Sequence, residues 1–305
     1  MVTLLQQLVN GIVLGGLLAF ITLGYTMVYG IIQLINFAHG EVFMVGSYAA
    51  LATYLWALPS GIQSTWYLAL PIVILAGAAF SVLVAVIMER FAYRPLRNAP
   101  RLAPLITALG ISVFLQEAVR NFFPDGTRPK AFPEVFPEGQ LTFLGVTVPA
   151  SGLLLVVMAI ILTGALQLYV NTSKLGRAMR ATAQDPDTAR LMGINPDRVI
   201  VLTFILGAAL AGVGGVLYGV HYDNINITIG FQNGIFAFTA AVLGGIGSLR
   251  GAVVGAFCIG LIKTLAGQYM PGGTAYDYVW IFVILILVLV FRPQGFFGET
   301  ERVRA

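Results

Sequence analysis

Trp66-Tyr-Leu-Ala-Leu-Pro-Ile-Val-Ile-Leu-Ala-Gly-Ala-Ala-Phe-Ser-Val-Leu-Val-Ala-Val-Ile-Met88 contains no charged residue. It is longer than the roughly 20 apolar residues that carry a helix across a bilayer. The rest of the chain repeats the pattern: Leu4–Ile31, Glu41–Leu58, Leu102–Phe122, Ala150–Val170, Val199–Val220, Gly251–Tyr269 and Tyr278–Phe291 are further candidate spans. Gly234–Ile246 is a shorter apolar piece interrupted by glycine, and it fits a tight span, a half-helix or a re-entrant segment. The predicted fold is therefore all-α: a polytopic transmembrane helical bundle of eight to nine spans with interrupted helices, forming a single domain over residues 1–305.

Composition supports this reading. Hydrophobic residues make up 58% of the chain and charged residues 10%, against about 25% charged in a soluble globular protein. The 35 glycines suit helices whose backbones approach closely in lipid. The net charge of +4 fits basic cytoplasmic loops better than a nucleic-acid surface, because no Lys/Arg run is interleaved with aromatics. The single cysteine, Cys258, lies inside an apolar run and excludes an intrachain disulfide. The N-terminal apolar stretch has no basic region and no small-residue cleavage site, so it reads as a retained span.

Basic residues orient the spans. Arg90, Arg94, Arg97 and Arg101 follow the third span, Lys174, Arg177, Arg180, Arg190 and Arg198 follow the fifth, and Arg292, Arg302 and Arg304 follow the last. These regions are expected in the cytoplasm, with Pro59–Thr65, Pro124–Pro149 and Met270–Asp277 outside. Four prolines in Pro124–Pro149 argue against helix there, and Gln140–Val148 alternates as a short hairpin does. Counting back puts the N-terminus outside, provided Gly234–Ile246 crosses completely. The breaks at Asn36–Glu41 and Gly244–Gly251 suggest paired repeats with interrupted helices, or two ordinary tight turns.

Polar residues at membrane depth mark a path or a paired contact. Asn36, His39 and Glu41 read either as a gate near the cytoplasmic end or as caps where one helix stops and the next starts. Lys263 either snorkels to the outer surface or faces substrate or a subunit interface. Glu117 and Arg120, three apart, form an intrahelical pair. His221, Tyr222, Asp223 and Asn224 close the sixth span on the outer side, as a solvated helix end or as a contact for a binding protein. Gly244, Gly245 and Gly247 give either a path lined by small residues or tight packing. The chain has two histidines and no Ser/His/Asp or metal-ligating arrangement, so it reads as a transport subunit rather than an enzyme. A stand-alone secondary transporter or channel would need ion-coupling acids in the membrane, and few are present.

The loop Asn171–Arg198 carries two short amphipathic helices. Ser173 caps the first, which runs to Gln184; Asp185 caps the second, with Pro186 in its first turn and Gly193 ending it. On its own this reads as a docking surface or as a plain solvated loop. The pattern Gly-Arg-Ala-Met-Arg-Ala at Gly176–Ala181, followed by Ala-Arg-Leu-Met-Gly-Ile-Asn at Ala189–Asn195, resembles the coupling segment of ABC permeases, most closely the branched-chain amino-acid type, the LivH class. Tyr25–Tyr48 resembles the N-terminal block of that class and Phe238–Ala252 its C-terminal block. The resemblance covers nearly the whole chain, with Pro124–Pro149 its least typical part.

The resemblance implies a permease subunit of a type II importer. Such a subunit pairs with a homologous second permease in the cytoplasmic (inner) membrane of a prokaryote. Two cytosolic ATPase subunits dock on Lys174, Gly176, Arg177, Arg180, Asp185, Arg190, Gly193 and Asn195, and an extracytoplasmic binding protein delivers substrate. The chain has no Gly-x-x-x-x-Gly-Lys-Ser/Thr loop, so it is expected to bind no cofactor itself, ATP and Mg being used by the partners. Branched-chain amino acids are the implied cargo; related permeases take urea, amides or other amino acids.

Overall fold

The computed structural model describes residues 2–33, 36–97, 99–100, 102–143 and 145–298. Arg101, Arg302 and Arg304, used above for orientation, lie outside the described residues, as does Leu144 of the hairpin stretch.

In chain order the helices are α1 (Val2–Ile32), α2 (His39–Ala52), α3 (Ser60–Gln63), α4 (Trp66–Met88), α5 (Leu102–Phe122), α6 (Ala150–Thr172), α7 (Lys174–Gln184), α8 (Pro186–Leu191), α9 (Pro196–Tyr222), α10 (Ile229–Gly244), α11 (Leu249–Tyr269) and α12 (Asp277–Phe291). A π-helical stretch, Thr53–Ala57, prolongs α2, and a second, Glu89–Tyr93, prolongs α4. Among the described residues seven helices are long and apolar enough to cross a membrane: α1, α4, α5, α6, α9, α11, and α12 with the turn before it. The expected span Glu41–Leu58 is helical almost throughout, as the 14-residue α2 and the five-residue π-helical stretch, but with the buried His39 and Glu41 in its first turn it is not among the seven. α10 is likewise a short apolar helix.

One end of the bundle is knitted by its loops. Gln6 of α1 donates to the Thr147 carbonyl and accepts from the Thr147 N–H, both at 2.9 Å. That contact joins α1 to the expected hairpin, whose strands β2 (Gln140–Phe143) and β3 (Val146–Pro149) pair antiparallel. β1 (Lys130–Ala131) pairs antiparallel with β4 (Asn224–Ile225), just past α9. The other end holds α7, α8, the turn between α10 and α11, and the arginines after α4. α1 starts at the loop end, so the N-terminus and Pro124–Pro149 share a side, as the charge reading requires. From the end of α9 at the loop end, α10 leads to the opposite end, so the chain does pass through the bundle there.

The two halves of the bundle repeat with inverted direction. α1, α2, α4 and α5 match α9, α10, α11 and α12: each half opens with a long buried helix, passes to a short helix, returns on a long one and closes on a peripheral one. The packing obeys this exchange, with α1 against α9, α10 and α11, and α9 against α1, α2 and α4. The counterpart of the Asn36–Glu41 break is therefore the segment before α10, Asp223–Thr228, and not Gly244–Gly251. The latter is a tight turn with Gly245 at φ 102° and Gly247 at φ 96°, closed by Ser248, whose Oγ accepts from the Gly251 N–H at 3.2 Å.

α1 and α9 form the core: Leu17, Leu18, Phe20, Ile21, Val216 and Leu217 are all but inaccessible. α5, α6 and α12 present apolar side chains outward, among them Ile106, Phe114, Ile160 and Ile286. In water such surface would be costly; in lipid it is the required exterior.

Candidate functional site

The starts of α2 and α10 abut inside the bundle. His39 packs on Gly24 of α1 beside Gly207 of α9, about 16 Å along α9 from Pro196 (11 residues at 1.5 Å). A Cβ on Gly40 would lie 3.0 Å from Gly234 Cα and would strike the Gly230 carbonyl, so only glycine lets these two helices meet. Tyr25 packs edge-on against His39, with ring centroids 5.2 Å apart, and Phe238 of α10 packs against Tyr25 and Phe37.

Glu41 is inaccessible to solvent. Its Oε1 accepts from Ser112 Oγ at 3.0 Å and Gln116 Nε2 at 2.7 Å, both on α5. Its Oε2 has no hydrogen-bond partner and faces Gly230 in the first turn of α10, where the helix dipole favours negative charge. Glu41 is thus the polar bolt between the peripheral α5 and the α2–α10 junction. Neither Asn36 nor His39 caps α2 through its side chain. The N-cap residue is Ala38, which makes no side-chain bond, and Asn36 gives only its backbone carbonyl to the His39 N–H at 3.0 Å. Asn36 Oδ1 instead accepts from the Tyr93 hydroxyl at 2.6 Å, and His39 Nε2 is buried without a partner.

The Tyr93 contact continues to the basic end. Arg94 donates to Asp197 at 3.0 Å, and Arg97 bridges Asp197 and the buried Glu89. Asp197 lies one residue into α9, whose N-cap Asn195 accepts from the Arg198 N–H at 3.2 Å. A bonded series therefore runs from the start of α9, through the end of α4, to the start of α2.

In the loop between α6 and α9 the predicted caps are present. Ser173 Oγ accepts from the Gly176 N–H at 2.9 Å, and Asp185 Oδ1 accepts from the N–H of Asp187 and of Thr188. The Thr188 hydroxyl, together with those amides, holds the Asp185 carboxyl below the usual aspartate value. Gly193 takes the left-handed φ of 80° that ends α8. Arg177 and Arg180 turn back toward α6, donating to the Thr172 and Val170 carbonyls at 3.2 and 2.8 Å. Each gives one N–H to an orphan carbonyl at the end of α6, and both side chains are exposed. Arg190 pairs with Asp187 at 2.9 Å. Two large apolar side chains are also exposed: Leu191 is 88% and Met192 78% exposed at the tip of α8.

Lys263 sits 4.0 Å over the Phe236 ring and 3.9 Å from Asp277 of α12. Tyr278 stacks on Phe236 at 4.6 Å. The lysine is thus paired and largely covered rather than simply snorkelling.

Residues 7–289 match the family described as branched-chain amino acid transport system, permease component. The chain is 45% identical to the high-affinity branched-chain amino acid transport system permease protein BraD of Pseudomonas aeruginosa, over 97% of this chain and 96% of that one. It is 43% identical to LivH of Escherichia coli (strain K12), a protein of the same description, over the same shares. It belongs to this permease family. A more distant relative, the LivM permease protein of E. coli, is 27% identical over 42% of this chain and 29% of its own.

The permease is a multi-pass membrane protein, and its predicted site residues outside the α6–α9 loop fall into four places. Asn36, His39 and Glu41 meet at the α2–α10 junction. Gly244, Gly245 and Gly247 form the turn at the basic end, where Gly30 at the end of α1 comes near Gly247. Lys263 lies apart from both. His221 to Asn224 are built into the loop end: His221 Nδ1 lies 3.1 Å from Ser151 Oγ, the Asp223 carbonyl accepts from the Phe132 N–H at 2.9 Å, and Asn224 lies in β4. Asp223 is left-handed at φ 54° and ends α9. The expected intrahelical pair Glu117–Arg120 is present at 2.8 Å. Sequence reasoning missed Ser112, Gln116, Tyr93, Asp197 and the Leu191–Met192 tip. Only the tip carried a signal, as adjacent large apolar residues in an otherwise polar helix.

Proposed function

We propose that this permease is one of two membrane subunits of an ATP-driven importer of branched-chain amino acids in the cytoplasmic membrane of a prokaryote. The observation that carries the proposal is the Leu191–Met192 tip. Two large side chains stand almost fully exposed on a capped helix at the basic end, a feature that favours insertion into a partner's groove. A cytosolic ATPase subunit fits that role, with the basic end facing the cytoplasm. The relatives' names supply the cargo, and the LivM relative supports a homologous second permease. A binding protein would dock at the opposite end, where Tyr222 and Asn224 are exposed. ATP and Mg would be held by the ATPase subunits, and this chain would bind no cofactor.

In this reading a shift of α7 and α8 acts on Asn195 and Asp197 at the start of α9. Arg94 and Arg97 pass it to the end of α4, and Tyr93 passes it through Asn36 to the start of α2. There Glu41 holds α5, one of the mostly exposed peripheral helices. Branched-chain side chains are apolar, so a path with few polar groups suits them. Purification of the tagged chain from native membranes tests the proposal. ATPase and second permease subunits are expected to co-purify, and a chain that brings no ATPase defeats it.

A further inference from the structure

A recess of about 490 Å³ opens between the end of α4 and the start of α9, lined by Arg90, Arg94, Asn195, Asp197, Arg198, Val201 and Leu202. We infer that it binds the phosphate of an anionic phospholipid. The inference does not depend on the transport reading.

Three guanidinium groups and one carboxylate line the recess, leaving a surplus of two positive charges. Asp197 is already engaged by Arg94 and Arg97. Arg90 and Arg198 are exposed and have no carboxylate within ion-pair distance among the described residues. Guanidinium pairs bind phosphate oxygens through strong, charge-assisted bonds of fixed geometry.

The apolar part of the recess decides between a lipid and a soluble phosphate. Val201 and Leu202 belong to a membrane-spanning helix, and Leu202 is 39% exposed. Leu83 and Ile87 of α4 and Arg90, two residues into the π-helical stretch that prolongs it, follow one another at i, i+4 and i+7 and so lie close to one face. Leu83 and Ile87 are about half exposed. An apolar track thus leads along the outside of α4 up to a basic recess at its end. That is the shape of a phospholipid, with acyl chains on the track and phosphate between Arg90 and Arg198. A free phosphate would use the arginines and leave the track without purpose.

The test uses the intact purified permease complex, stripped of loosely bound lipid and offered phosphatidylglycerol or phosphatidylcholine, with retained lipid counted by native mass spectrometry. Wild type is expected to retain phosphatidylglycerol over phosphatidylcholine by about tenfold or more: both lipids carry the phosphate, but the choline cation is repelled by the two surplus charges of the recess, and a like-charge contact at a few ångströms costs at least about the 1.4 kcal/mol that a factor of ten requires. R90Q/R198Q is expected to retain both equally, while its melting temperature in phosphatidylcholine is unchanged. If the double variant does not purify, R90Q and R198Q singly should each lower the preference, and R198K should keep most of it. Equal retention of the two lipids by wild type, or a preference untouched by these substitutions, overturns the inference. Inorganic phosphate that displaces the lipid at moderate concentration also overturns it, assigning the recess to a soluble anion.

Discussion

Tyr93→Phe removes one oxygen and leaves the ring, whose centroid lies 5.6 Å from that of Phe204. Tyr93 is 1% and Asn36 3% exposed, so water cannot replace the lost hydroxyl. Asn36 Oδ1 then stands buried without the partner it has at 2.6 Å. A buried acceptor left unpaired costs about 1–3 kcal/mol. If the bond belongs to one of the two access states, its loss shifts their balance by roughly 5- to 150-fold. The assay is ATP consumed per amino acid transported in reconstituted complex. Tyr93→Phe should raise that ratio while leaving complex assembly intact, because the substitution lies far from the Leu191–Met192 tip. Asp197→Asn should do the same, and the double variant should be little worse than either alone, as expected for residues in one series. Unchanged stoichiometry in both variants, or strictly additive effects, would refute the relay from α9 to α2.

Leu191→Ala with Met192→Ala should release the ATPase subunits. Burying such a side chain is worth about 1.5–3 kcal/mol, so binding measured on the purified permease should weaken by roughly tenfold or more per residue while helix content holds. Gly40→Ala should lower the melting temperature, because overpacking a close contact costs about 1–3 kcal/mol; Gly164→Ala, where nothing lies within 4 Å, should not. The Asp185 carboxyl is held below its usual value, so its cap is fully formed above the unfolded aspartate value of about 3.9. That contribution is lost only as pH falls through the lower folded value. Limited proteolysis of the α7–α8 loop should therefore be constant down to mildly acid pH in wild type, and faster at neutral pH in Asp185→Ala.

Much of this was legible in the chain. Span length and charge depletion depend on local composition, so α1, α4, α5, α6, α9 and α11 fall close to where the apolar runs put them. Caps are local too: Ser173, Asp185 and Gly193 act through residues within a few positions of themselves. What escaped depends on distance in sequence. Glu41 meets Ser112 and Gln116, and Asn36 meets Tyr93, only because the bundle brings α5 and α4 to the start of α2. The cap reading of Asn36 failed for that reason: a tertiary partner claimed its side chain. The repeat was sensed but paired with the wrong break, because a polar or glycine break in an apolar run looks alike whether it ends a helix at a surface or interrupts one inside. The bonds from Arg177 and Arg180 to the end of α6 were likewise not legible, because sequence does not show how α7 folds back on α6.

Uptake by the reconstituted complex — both permeases, the ATPase subunits and the binding protein in proteoliposomes — tests the central claim most directly. Leucine, isoleucine and valine should accumulate only with ATP, and urea should not. Uptake that proceeds equally without ATP, or that favours urea or amides over the branched-chain amino acids, would contradict it.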